Sequence, residues 1–375
     1  MAKTSLLGRL MLWQKFAVLG TMGVLLVSAP LYLYVSQANK EVEATILKTK
    51  GIMVSQSLLK VVQFTQQHRG LSAGVLGGTS ALQAQREAKQ SETDLAYGTM
   101  ESILKQEVND RSVSAAWDQA RQHWKTLHGK VADRSIAVPD SYLGHTSLVA
   151  ELLLINDLLA DYFGLGMDQD AYAYHLTGAA LVHGPSFTED LGRSRAKGAG
   201  ILAQKAISPD DRALMSALVA RAKERFQTLE RTFAKVTALN PALKEKLSAP
   251  MEESAALAKK AIQMVEDNVV KADEMAFPPV EYIGLTTQAI DSQFKTNGIA
   301  MAELETYLDS RVARLTMGKY TLVGSVLVLA LLGGLIGYLI ARSITHPLAK
   351  AVVLASKSVQ AGCSSSSATL SCLSS

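Results

Sequence analysis

Two long apolar runs constrain this chain more than any other feature. The run from Tyr320 to Ala341 contains 22 residues without a charged side chain, and the run from Phe16 to Val35 contains 20. A helix of about 20 apolar residues spans the roughly 30 Å hydrocarbon core of a bilayer. The sequence therefore predicts two transmembrane helices, at 16–35 and 320–341, with most of the chain between them.

The first run has an alternative interpretation as a secretory signal. A signal peptide usually has an apolar core of about 7–15 residues. Because this run is longer, an uncleaved membrane anchor is favoured. Ser36, Gln37 and Ala38 do provide small residues at cleavage-like spacing, which leaves removal of the run open.

Charges beside the first run predict the orientation of the chain. The N-terminal tail, 1–15, carries Lys3, Arg9 and Lys15 and no acidic residue. The positive-inside rule places such a tail in the cytoplasm. Basic residues also precede the second run, against this assignment, but the first span usually dominates orientation. We therefore expect residues 36–319 to lie outside the cytoplasm.

Cysteine usage and charge argue against a disulfide-stabilised domain and against a nucleic-acid-binding protein. Cys363 and Cys372 are the chain's two cysteines and both lie close to its end, so no disulfide is expected within 36–319. The formal net charge of +4 is small for 375 residues. We therefore expect no nucleic-acid partner.

The region between the runs has the spacing of α-helices. Side chains recur at i, i+3 and i+4 steps, as at Val61, Phe64, His68 and Leu71, and few stretches alternate as a strand requires. Turn-forming residues divide the helices at Gly77-Gly78, Asn109-Asp110, Pro139, Pro185, Pro209, Pro241, Pro250 and Pro278-Pro279. We predict an all-α extracytoplasmic bundle whose first and last helices continue into the membrane spans.

A short internal repeat indicates two helical modules. Residues 69–77 read RGLSAGVLG and residues 195–203 read RAKGAGILA, so both begin with arginine and share a small residue and Ala-Gly. Two stacked modules of similar design would produce this repeat. Chance similarity between two helices rich in Ala and Gly would produce it as well.

Two arginines stand among small residues. Arg69 is followed by Gly70 and Ser72, and Arg195 is followed by Ala196 and Gly198. Small neighbours leave an arginine uncovered, and its planar fork suits an oxyanion with two acceptor oxygens. Alternatively, the small residues allow close helix packing while the arginines extend to solvent.

Residues 63–77, QFTQQHRGLSAGVLG, resemble the opening motif of the nitrate- and nitrite-sensing (NIT) domain. Residues 157–203 resemble a later block of related bacterial receptors, and residues 282–314 resemble a final helix that returns to the membrane. The chain has His68 where the family commonly has glutamate. This histidine either adds a pH-dependent charge near the anion or is a surface or packing residue.

The resemblance implies an all-helical domain that binds nitrate or nitrite through arginines at a dimer interface. By the matching motif, Arg69 is the first candidate for ligand binding and Arg195 the second, with Arg193 and Ser72 beside them. The resemblance also implies a homodimer in a bacterial inner membrane, with the sensor domain in the periplasm. No metal or cofactor is expected.

The second apolar run ends in ARSITHPL, residues 341–348, which resembles the entry into a HAMP linker. Residues 342–362 would form part of this linker, and residues 363–375 are a serine-rich tail of low complexity. We expect a frameshift or a truncated reading frame. Alternatively, the chain is a complete short receptor whose tail docks on a partner, with Cys363 and Cys372 available for lipidation.

These features predict the ligand-sensing and signal-transducing part of a chemoreceptor of the methyl-accepting type. It would reach a chemotaxis adaptor and kinase only through a cytoplasmic domain that this sequence lacks. Alternatives are the input half of a sensor histidine kinase or diguanylate cyclase, and a structural membrane protein. No catalysis is expected, because the seven histidines show no metal-ligand spacing and no phosphate-binding glycine motif occurs.

Overall fold

The structure, a computed structural model, describes residues 10–370, with side chains described for residues 10–358 except Leu12. Every regular element in this range is a helix. The all-α prediction is therefore confirmed. The predicted N-terminal tail, 1–15, lies partly outside the described residues. The side chains of the predicted serine-rich tail, 363–375, including Cys363 and Cys372, lie outside them altogether.

Nine α-helices account for most of this range. Their bounds are α1 Leu12–Leu76, α2 Gln83–Glu107, α3 Arg111–Ala132, α4 Val138–Tyr162, α5 Ala171–Thr177, α6 Gly184–Gln204, α7 Pro209–Leu239, α8 Pro241–Val265 and α9 Pro279–Leu370. A 3₁₀ turn, Ser80–Leu82, precedes α2, and π-helical turns at Gly178–His183 and Glu266–Val270 follow α5 and α8.

Residues 44–312 form one compact unit with a continuous apolar core. Within it, α2, α3 and α4 form one group of packed helices, and α5 to α8 form another. The prediction of two stacked modules stays a prediction, because residues 44–312 form one compact unit. Helix α6 lies at the centre of the unit, since all its residues except Gln204 at its end are buried or half-buried.

Side-chain caps explain where several helices begin. Asp110 accepts hydrogen bonds from the backbone N–H groups of Ser112 and Val113 at the start of α3, at 2.8 and 3.0 Å. Ser208 caps α7 in the same way, as its Ser-Pro sequence predicts.

The prediction of a break at Pro250 is wrong, because this proline lies inside α8. Packing of Leu243, Leu247 and residues beyond Pro250 keeps the helix continuous.

Residues 10–43 and 313–370 belong to the other compact unit. Its helical segments expose a high proportion of large apolar side chains, and they contain both predicted spans. The hydroxyl groups of Thr21, Ser28 and Ser325 donate to backbone carbonyls of their own helix, at 2.8 to 3.2 Å. Such internal bonds satisfy polar groups where no water is present. Both α1 and α9 are long and apolar enough to cross a membrane.

Helix α4 is a third helix with the length and composition to cross a membrane. In its most apolar window, 39% of the residues are buried inside the protein, against 0% in α1 and α9. Buried residues along α4 include the polar His145 and Asn156, and the helix packs against α3 and α6. We therefore interpret α4 as a core helix of the 44–312 unit.

Asp168 joins three segments of this unit. Its carboxylate lies 2.7 Å from the Nζ of Lys48 on α1 and 2.9 Å from the Nη1 of Arg311 on α9. Burial raises the pKa of Asp168, but the hydrogen bonds from Lys48, the Asp170 backbone and Arg311 outweigh it and hold the pKa below its ordinary value. The loop after α4 is thereby fixed to both long helices.

Candidate anion-binding site

The two arginine-containing segments identified in the sequence contact each other directly. A Cβ atom at Gly70 of α1 would lie 2.9 Å from the Nε of Arg195, and one at Gly192 of α6 would lie 2.9 Å from the Nη2 of Arg69. Each glycine therefore makes room for the arginine of the other helix. This reciprocal fit explains why small residues surround both arginines.

Arg69 is fully buried and faces a carboxylate. Its Nη1 and Nη2 donate to the two oxygens of Glu189 on α6, at 2.8 and 2.9 Å, which makes a bidentate ion pair. Nη1 also lies 3.2 Å from the hydroxyl of Thr146 on α4. The amide of Gln66 donates to the same carboxylate at 2.9 Å. We call Arg69, Glu189, Gln66, Thr146 and Arg195 the arginine cluster.

Arg195 is equally buried but has only neutral partners. It donates to the hydroxyl of Thr287 on α9 at 2.8 Å and to the backbone carbonyl of Gln66 at 2.7 Å. Among the described residues it forms no ion pair, although the charges of Asp291 and Glu189 act on it and oppose the fall in its pKa. Burial, followed by the nearby charge of Arg69, lowers the pKa of Arg195 to about 10, so it remains a cation at neutral pH.

The arginine cluster has spare hydrogen-bonding capacity. Within the described part of the chain, the Nε atoms of Arg69 and Arg195 have no acceptor, although both are buried. A buried donor without a partner costs about 1–3 kcal/mol. Because both side chains are buried, the alternative in which the arginines extend to solvent is excluded.

The other two predicted site residues lie beside the cluster. Arg193 is half-buried one turn after Glu189 on α6, with its Nε 3.4 Å from the hydroxyl of Tyr142 on α4. Ser72 is buried on α1, and its hydroxyl lies 3.4 Å from His68 Nδ1. The structure therefore brings Arg193 close to Glu189 and places Ser72 on the side of the histidines.

His68 is a packing residue at neutral pH. Its Nδ1 lies 2.9 Å from the Nε2 of His145 on α4, and its ring meets the Trp124 ring edge-on at 4.9 Å between centroids. Burial, followed by His145, lowers the pKa of His68 well below its ordinary value. Burial also lowers the pKa of His145, to about 3. Of the two alternatives for His68, its burial and its contact with His145 favour the packing residue.

Sequence reasoning missed Glu189, Thr146 and Thr287. Each comes from a helix whose packing against α1 or α6 the local sequence does not reveal. One signal was available for Glu189, since it lies three residues before Gly192 and four before Arg193. These positions share one helix face, so an acidic residue accompanies the predicted arginines.

A family model matches the part of the chain that contains these residues. Residues 60–312 match the family described as "Nitrate and nitrite sensing", or NIT, which is about two thirds of the chain. The chain belongs to the NIT family. The NIT region contains the whole arginine cluster, the histidine pair and Asp168. No curated protein matches the chain at a significant level.

A solved structure shares the fold of this NIT protein. The structure of the NasR transcription antiterminator is similar with a TM-score of 0.58 and 18% sequence identity, over 76% of each chain. At this identity the likeness shows a common all-helical fold. The chemistry of the site must therefore be argued from the residues of this chain.

Proposed function

We propose that this protein is the nitrate- or nitrite-binding sensor of a bacterial two-pass membrane receptor, and that it performs no chemistry of its own. Membership of the NIT family supports the class of ligand. The two exposed apolar helical segments support the membrane location, with the NIT region in the periplasm. The oxyanion would bind at the arginine cluster.

Arg69 carries this proposal. It is a fully buried guanidinium whose fork already holds two oxygens of a planar carboxylate in bidentate geometry. Nitrate and nitrite are also planar groups with two or more acceptor oxygens, so the same fork fits them. Gln66 and Thr146 provide further hydrogen-bonding groups around the same position.

We further propose that the output is that of a methyl-accepting chemoreceptor acting as a homodimer, with a HAMP linker beginning near Arg342. The HAMP-like sequence at 341–348 and the receptor-like sequence at 282–314 support this assignment. Reading the DNA after codon 375 in three frames tests it. A chemoreceptor hairpin would support the proposal, and a kinase or cyclase core would favour the alternative outputs.

Titration calorimetry of the full chain in lipid nanodiscs tests the ligand. We expect saturable binding of nitrate or nitrite, and a loss of affinity of about 10- to 100-fold in Arg69→Gln, since a hydrogen bond to a charged group contributes about 1.5–3 kcal/mol.

The matched control is Arg121→Gln on α3. Arg121 also pairs with a carboxylate, that of Glu101 at 2.7 Å, but its side chain is 47% exposed. We expect this variant to bind like the wild type. A folded wild-type protein that binds neither anion would refute the proposal.

A further inference from the structure

We propose that Glu189 is an internal competitor for the anion site, so that nitrate or nitrite binds by displacing its carboxylate from Arg69. This inference rests on the proposed function and concerns how the same site is controlled. It makes Glu189 the residue that sets the affinity of the sensor.

Glu189 already occupies the donors of Arg69 that an anion would need. The side chain of Arg69 is 0% exposed, and Glu189 takes one N–H from each of its terminal nitrogens. A planar oxyanion would need the same pair of donors in the same plane. The carboxylate and the ligand therefore cannot use the fork of Arg69 together.

Glu189 is the partner that can leave the ion pair with Arg69. Its side chain is 13% exposed, whereas that of Arg69 has no contact with solvent. Gly192 fits closely against the Nη2 of Arg69 and restricts its movement. Glu189 can therefore rotate toward the surface while Arg69 stays in place.

A displaced Glu189 carboxylate would lie beside Arg193. Arg193 lies one turn further along α6, and residues four apart on a helix are neighbours. The nearby negative charge of Glu189 contributes to the raised pKa of Arg193, after the contributions of Tyr142. A displaced carboxylate would thus exchange one guanidinium for another. The anion would inherit the donors that Glu189 leaves behind: the Arg69 fork and the Gln66 amide.

Nitrate titration of Glu189→Gln in the full chain, in nanodiscs, tests this competition. The amide keeps the shape of the side chain but removes the charge that pairs with Arg69. If the open form is populated at about 10% or less in the wild type, removing the competitor should tighten nitrate binding about 10-fold or more.

Asp190→Asn is the matched control. Asp190 is the next residue, has similar burial, and pairs with Arg221 and Arg225 of α7 at 3.2 and 3.8 Å instead of with Arg69. This variant removes the same charge from the same turn. We expect its nitrate affinity to stay within about 3-fold of the wild type, because the Arg69 fork remains occupied as before.

Glu189→Asp decides the question if Glu189→Gln does not fold. The shorter carboxylate keeps the charge but cannot hold both nitrogens of Arg69, so we expect tighter nitrate binding than in the wild type. If the wild type binds nitrate and the folded Glu189 variants bind it equally or more weakly, the competition is refuted and the proposed function stands. If neither wild type nor variants bind, both proposals fail.

Discussion

Buried charge is the dominant feature of the NIT region at the scale of single residues. Arg69 and Arg195 are the two largest fully buried side chains of the described chain. Removing one partner of a buried ion pair typically costs about 3–5 kcal/mol, because the remaining charge is uncompensated. The buried charge of Arg69 therefore requires an anionic partner in the folded protein.

The buried histidine pair predicts a loss of stability in acid. The folded-state pKa values of His68 and His145 lie below the ordinary value of 6.5, and that of His145 is about 3. Between about pH 6.5 and 3, the unfolded chain therefore binds protons that the folded protein excludes. Stability present above pH 6.5 should fall with decreasing pH, by up to about 1.4 kcal/mol per pH unit for each histidine.

Thermal unfolding at pH 7 and pH 5, followed by circular dichroism, measures this effect. The double variant His68→Gln/His145→Gln should lose less stability over this interval than the wild type. His346→Gln, which removes an exposed histidine, should behave as the wild type does. Equal pH dependence of the double variant and the wild type would contradict the assignment.

The sequence allowed Arg69 and Arg195 to be identified, because small neighbours and a family-like motif are local features. Glu189 was not identified, because its pairing with Arg69 depends on the crossing of α1 and α6, 120 positions apart in the chain. Ser72 shows that closeness in sequence does not fix the direction of a side chain. Its proximity to Arg69 in sequence suggested a shared site, but its side chain is directed to the histidine pair.

At the scale of secondary-structure elements, most of the predicted proline breaks mark the start of a helix, and one does not. Ser208 before Pro209 marks the start of α7, where the missing N–H of proline has no cost. Pro250 lies within α8, where tertiary packing outweighs the lost hydrogen bond. Pro139 and Pro279 mark the starts of α4 and α9 without such a cap, so Pro250 is the exception among the predicted breaks.

The close crossing of α1 and α6 predicts a strong effect of one added methyl group. In Gly192→Ala, the new Cβ would lie 2.9 Å from the Nη2 of Arg69 and displace the guanidinium. We expect nitrate affinity, measured by calorimetry, to fall about 10-fold or more, as for loss of one charged hydrogen bond.

Gly98→Ala provides the control for this helix substitution. A Cβ at Gly98 on α2 has nothing within 4 Å, so we expect unchanged nitrate affinity and a gain in helix stability of up to about 1 kcal/mol. Wild-type affinity in Gly192→Ala would show that the position of Nη2 does not matter for binding.

At the scale of the whole molecule, the chain combines a packed helical unit with segments whose apolar residues lack protein neighbours. The most apolar windows of α1 and α9 are 0% buried, although the 44–312 unit has an extensive core. Sequence hydropathy identified both segments, because span length depends on local composition. Length and composition alone would also admit α4, and its burial and its packing against α3 and α6 distinguish it as a core helix.

Two engineered cysteines test the proposed topology. In a Cys363→Ser/Cys372→Ser background, Thr99→Cys reports on the NIT region and Lys357→Cys on the segment after the second span; both positions are exposed. A membrane-impermeant maleimide should label Thr99→Cys in cells whose outer membrane is permeable. Lys357→Cys should react only after lysis of the inner membrane. The opposite labelling pattern would show that the chain has the reverse orientation in the membrane.

The double contact of Asp168 restricts how α1 and α9 can move. Lys48 and Arg311 reach this one carboxylate at 2.7 and 2.9 Å. Sliding one helix past the other by one residue, about 1.5 Å, would stretch at least one contact beyond hydrogen-bond length. Joint tilting or rotation preserves both contacts. The Asp168 carboxylate thus resists sliding of α1 and α9 along each other. It permits the two helices to move together.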